Sequence, residues 1–183
     1  MPAGETEIAA QEFQVFDLAN EAEEMERLRG KHAARCLVAE KMPIDVMMTL
    51  LQRGSELTRR KTLSLLYYMD GEPAKVAVLD VLALDDSAVV RHEAAFYVGA
   101  MAHVNAVERL VFALRNDPAD LVRHEAAEAL GDMGATESRD ALSEAARNDP
   151  SAVVVSTAKI SLQQLSNIDE LLSPAAGGPS RLE

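Results

Sequence analysis

The residues best suited to chemistry sit in a hexapeptide that occurs twice. Val90-Arg91-His92-Glu93-Ala94-Ala95 returns as Val122-Arg123-His124-Glu125-Ala126-Ala127, 32 residues further on. Each copy sets an imidazole beside a carboxylate. Two imidazoles and one carboxylate on one face of an ion, at bonds of ~2.0–2.2 Å, form a ligand set that leaves other positions open. Non-haem iron(II) oxygen chemistry uses such a set and zinc hydrolysis uses a similar one, so ligand count alone does not choose the metal. A repeat that copies a solvent-facing His-Glu pair with nothing to hold gives the same pattern.

The hexapeptides must lie on helices for the donors to meet. Val90, Ala94 and Val98 fall at i, i+4 and i+8 and define one buried face. His92 lies about 200° round from Val90 and Glu93 about 100° further, which turns His92 away from that face and leaves Glu93 at its edge. The same holds for His124 and Glu125 against Val122, Ala126 and Leu130. Both pairs are therefore expected on the exposed side of one helix layer. Neighbouring helices lie roughly 8–10 Å apart, close enough for two histidines to reach a shared point. The flanking units carry Arg60-Lys61 and Ser156-Thr157 at these positions, so the motif is confined to two adjacent central units.

The units themselves repeat. Met69, Met101 and Met133 are spaced by 32, as are Asp85, Asp117 and Asp149, and Val90, Val122 and Val154. Two helices per unit at this period mark an all-α fold, an α-solenoid of about four helix pairs. The pattern predicts helices over 44–52, 55–69, 73–84, 88–101, 106–115, 118–133, 135–147 and 150–165. Asp117-Pro118 and Asp149-Pro150 read as helix starts, with Asp as cap and Pro in the first helical position. Before the array, residues 1–43 form an N-terminal helical extension. Its helix is expected from Ala9 with a stripe of Phe13, Phe16, Leu18, Met25 and Leu28, a break near Gly30 and a frayed 1–8 segment. The array runs over 44–168, and 169–183 is expected to be a flexible tail.

Composition narrows the function classes. Hydrophobic residues make up 48% of 183 and aromatics 4%, so the core of this single domain is aliphatic. A net charge of −12 excludes ordinary nucleic-acid binding, which needs clustered Lys and Arg, and suits a basic partner or simple solubility. Cys36 is the only cysteine, which fits a reducing compartment. No apolar run approaches ~18 residues and the first residues carry no signal pattern, so no membrane is implied and a cytoplasmic location is expected. Cys36 reads as a packed thiol, His103 as a surface-loop histidine, and the Met69 series as core.

From Ser87 to Leu165, and more weakly back to Leu57, the chain resembles one half of the deoxyhypusine hydroxylase family, HEAT-repeat di-iron monooxygenases. Residues 90–99, residues 122–131 and Asn148-Asp149-Pro150 carry the resemblance. It implies a short HEAT-like solenoid of the PBS-lyase type. It also implies His92, His124 and Glu125 as ligands of iron (Fe2+), molecular oxygen as co-substrate, and Glu93 meeting the cationic amine of a polyamine-modified lysine on a protein substrate. Because the likeness covers one half, a homodimer is expected to complete the di-iron site. Two other readings are a non-catalytic HEAT-repeat scaffold for a basic partner and a phycobilin-lyase-like chaperone.

Overall fold

The computed structural model describes residues 3–101 and 103–172, with side chains from 7 to 171. Among these residues ten α-helices and one 3-10 turn follow one another without a strand. A helix pair, α1 (Ala3–Arg29) and α2 (Lys31–Lys41), precedes four more: α3 (Ile44–Arg53) with α4 (Glu56–Tyr68), α5 (Glu72–Leu84) with α6 (Ala88–Met101), α7 (Ala106–Asn116) with α8 (Asp120–Asp132), and α9 (Arg139–Asn148) with α10 (Ala152–Leu172). Helices α4, α6, α8 and α10 pack in succession as one layer, and α3, α5, α7 and α9 form the other. This is the all-α solenoid read from the period. No described helix is long and apolar enough to cross a membrane.

The repeat works because equivalent residues are buried equivalently. Val90, Val122 and Val154 are fully buried, as are Val78, Leu110 and Leu142 in the other layer. Alanines 94, 95, 126 and 127 are buried between them and let the motif-bearing helices approach closely. The methionines 69, 101 and 133 lie half-buried against this core. A fully buried Leu side chain contributes roughly 1.5–3 kcal/mol, so stacking rather than any single pair stabilises the array.

A second device ties the repeats. Arg59, Arg91 and Arg123 form bidentate pairs with Asp85, Asp117 and Asp149, all at 2.8–3.0 Å. Each guanidinium also donates to a carbonyl at the preceding turn: Gly54, Asp85 and Asp117. Asp117 and Asp149 thus differ from the expected N-caps. They terminate α7 and α9, and their carboxylates accept from the N–H groups of Ala119 and Ser151 two residues on. Pro118 and Pro150 lie in these turns, ahead of the helices.

The N-terminal pair departs from the expected stripe. The helix starts at Ala3, inside the segment expected to fray, and Gly30 separates α1 from α2 at φ +86°, a conformation that favours glycine. Of that stripe Leu18 is buried, with Val15, Ala19 and Ala22, and Met25 packs against the core, whereas Phe13 and Leu28 stand exposed. Val15, Leu18, Ala19 and Ala22 fall at i, i+3, i+4 and i+7, the one face that α1 lays on α2 and α4. Glu12 accepts from Ser55 N and Thr58 Oγ1 at the start of α4, and Tyr68 donates to Glu26 at 2.6 Å. At the other end α10 continues through 169–172, and residues 173–183 of the expected tail lie outside the described residues.

Candidate functional site

His92 on α6 and Glu125 on α8 meet across adjacent repeats, Nε2 to Oε2 at 3.0 Å. Glu125 is buried and His92 half-buried, so the motif is set deeper than the expected solvent-facing side. Glu125 accepts a hydrogen bond from the imidazole and holds the His92 pKa above its ordinary value; burial works against this, Glu93 adds to it and Arg60 opposes it.

This contact is one of three equivalent rungs. Arg60 Nη2 lies 3.3 Å from Glu93 Oε2, His92 pairs with Glu125, and His124 Nδ1 lies 2.7 Å from Thr157 Oγ1. In each rung a residue meets the residue 33 positions on, not its own equivalent 32 positions on. The offset decides the layout. The two histidines were expected to converge; instead each faces the Glu position of the next repeat, and in the last repeat that position is a threonine. Of the three expected ligands the structure brings His92 and Glu125 together. His124 turns its Nδ1 to Thr157, with Nε2 3.5 Å from Glu128 Oε2. Among the described residues no group of three or more His, Cys, Asp or Glu side chains is gathered as a metal would require. Glu93 is held by Arg60 rather than standing free.

Beside Glu125 a shallow groove of about 260 Å³ runs between α6 and α8, lined by Phe96, Gly99, Glu125, Glu128, Asp132 and Met133. Glu128 and Asp132 escaped the sequence reading, although they follow His124 at i+4 and i+8 and so share its helix face. Phe96 stands half in solvent at the groove and edge-on to Tyr97, which in turn packs on Tyr67. The close approach of the helices has a local cause. A Cβ on Gly99 would stand 2.9 Å from the Ala129 Cβ, and one on Gly131 would stand 2.7 Å from the Ser161 Cβ.

Two bland expectations also need correction. His103 is buried, not a surface-loop residue. Its Nδ1 accepts from Asn105 N at 3.0 Å and its Nε2 lies 2.7 Å from Glu72 Oε1, so the α6–α7 turn is folded back onto the start of α5. Cys36 is exposed rather than packed, because α2 buries Ala34 and Val38 instead.

Residues 76–163 match the family of HEAT repeats. Among solved structures, that of human deoxyhypusine hydroxylase in complex with glycerol is similar to this chain, with 30% sequence identity and a TM-score of 0.60, over 70% of this chain and 45% of that one. The chain thus spans under half the length of that protein. No curated protein sequence matches significantly.

Proposed function

We propose that the chain is a deoxyhypusine-hydroxylase-like, iron-dependent monooxygenase unit that hydroxylates a polyamine-modified lysine on a protein substrate. One observation carries the reading: an imidazole and a buried carboxylate of consecutive repeats stand 3.0 Å apart, in a solenoid 30% identical to human deoxyhypusine hydroxylase. Two donors held cis at ~2.1 Å from one ion are themselves ~3.0 Å apart, so this separation suits a shared metal as well as a hydrogen bond. By type, His92, His124 and Glu125 fit iron(II), with His124 as the third donor. Iron(II), when bound, supplies the reducing electrons that activate dioxygen for hydroxylation of a C–H bond. The chain's other side chains serve the substrate. Glu93 receives its cationic amine after parting from Arg60, and Glu128 and Asp132 lend the groove a negative potential that draws a cation in. Phe96 covers the methylene chain. A second copy of the chain supplies the other half of the di-iron site.

Anaerobic loading with iron(II), followed by metal analysis and light scattering, tests this. A dimer with about one iron per chain is expected, lost in His92→Ala and His124→Ala. A monomer that retains no iron would sink the proposal. One observation favours a plain HEAT-repeat scaffold instead: the rung Arg60–Glu93 has the geometry of His92–Glu125 and binds no metal by its chemistry, so such rungs also serve stacking alone. Under that reading both variants lose stability and no metal is bound by any form.

A further inference from the structure

The second histidine carries information about its own proton. Thr157 Oγ1 lies 2.7 Å from His124 Nδ1 and also 3.0 Å from the Val153 carbonyl oxygen, one helical turn back on α10. A hydroxyl has one proton. The carbonyl can only accept, so the Thr157 proton belongs to Val153 O, and the hydroxyl oxygen is left as acceptor toward the ring. Both contacts are then hydrogen bonds only if His124 carries its proton on Nδ1. The opposite tautomer would draw the hydroxyl proton to Nδ1 and leave the hydroxyl and carbonyl oxygens facing each other at 3.0 Å with no proton between them. Nε2 makes no bond of comparable quality: its nearest carboxylate oxygen, on Glu128, stands at 3.5 Å, so the short Nδ1 contact decides the tautomer. We infer that Thr157 fixes His124 as the Nδ1–H tautomer and so reserves the Nε2 lone pair for a metal, an inference that rests on the metal-binding reading above.

The position gives the threonine a meaning. It occupies the slot where the preceding repeat has Glu125, and there the neighbouring histidine presents Nε2 to the carboxylate. The two rungs therefore present opposite ring nitrogens. Metal-bound histidines ordinarily donate their other ring N–H to a fixed acceptor, and loss of that partner typically costs 10–100-fold in metal affinity. Thr157, nine-tenths buried and itself anchored on the α10 backbone, is a positioning residue of this kind.

The test has two arms. Long-range 1H–15N NMR of the metal-free protein reads the His124 tautomer directly, and titration with cobalt(II) reads affinity. Wild type and Thr157→Ser should hold the Nδ1–H form. Thr157→Val, which keeps the shape and removes the acceptor, should shift towards the Nε2–H form, which an unconstrained imidazole favours and Glu128 can accept. Cobalt affinity should fall 10–100-fold in Thr157→Val and recover in Thr157→Ser. A wild type in the Nε2–H form, or a Thr157→Val protein with unchanged tautomer and affinity, overturns the inference. A wild type that holds the Nδ1–H form but binds no cobalt(II) refutes the metal reading and leaves the hold of Thr157 on the ring established.

Discussion

Replacing Gly131 with alanine separates the two things a helical glycine can do. In an open helix the change stabilises by ~1 kcal/mol, because glycine loses more backbone entropy on folding. Gly131 is not in the open. A Cβ there would lie 2.6 Å from Ser161 Oγ and 2.7 Å from Ser161 Cβ, against an ordinary carbon contact of ~3.5–4.0 Å. A far side-chain end could rotate away, but the Ser161 Cβ is fixed to the α10 backbone, so α10 must recede by about 1 Å. Such overpacking costs ~1–3 kcal/mol, and a contact fixed to the backbone belongs in the upper part of that range, ~2–3 kcal/mol. With the propensity gain set against it, Gly131→Ala is expected to destabilise by ~1–2 kcal/mol, or ~2–8 °C in Tm for a chain of this size. Gly99→Ala meets one close atom, the Ala129 Cβ at 2.9 Å, also fixed to its backbone but with a smaller overlap, and should cost less than Gly131→Ala. The α8–α10 contact also carries the Ser161 Oγ bond to Ala127 O at 2.7 Å and the His124–Thr157 rung, so Gly131→Ala should loosen the ring as well. Thermal melts of both variants decide the matter. A Gly131→Ala protein as stable as wild type would refute the reasoning.

Other expectations follow from the charges. The Arg123 guanidinium beside Asp149 holds its carboxyl below the ordinary value of 3.8, so this pair stabilises the fold above the unfolded pKa and the benefit is lost as pH falls through the folded one. Asp149→Asn should therefore cost ~1.5–3 kcal/mol at neutral pH, with the gap to wild type closing below about pH 4 in urea titrations. Arg115→Ala breaks a pair exposed on both sides and should change stability by less than ~1 kcal/mol. Arg60→Met frees Glu93 from a single 3.3 Å contact and should tighten binding of spermidine by calorimetry; unchanged or weaker binding contradicts the role given to Glu93. Cys36 should react with an aromatic disulfide in the native protein at one equivalent, without denaturant.

The fold was open to reading because its signals are periodic and local. Val90, Val122 and Val154 announce the unit, and Gly and Asp-Pro mark its ends within a few residues. The candidate site was half open. The residue types and their confinement to two units were visible; the partner of each histidine was not, because equivalence runs at 32 and contact at 33, an offset set by the relative placement of adjacent helices and not by the repeat. Phe13 and Leu28 misled because they lie off the face of Val15, Leu18, Ala19 and Ala22 that α1 buries. The Arg59, Arg91 and Arg123 series could have been found: a cation and an anion recurring at the same period are expected to pair.

The rungs also explain how a stacking device can acquire chemistry. Each of α4, α6 and α8 presents one side chain to the slot 33 residues on, and the three pairs are each complementary. Arginine with glutamate is one such pair, at the cost of a cation that no metal can share. Histidine with glutamate is another, and its members are both metal donors once the proton between them leaves. Histidine with threonine is the third, with the Nδ1 proton given to the buried hydroxyl, leaving the Nε2 lone pair free of the rung. The three rungs run in that order along the layer, from Arg60 to Thr157. A metal-binding unit therefore requires no departure from the repeat geometry, only two substitutions of arginine by histidine at neighbouring rungs and an acceptor without charge at the last. The decisive comparison is between Thr157→Ser, which keeps the acceptor for the His124 ring proton, and Thr157→Val, which keeps the packing and not the acceptor.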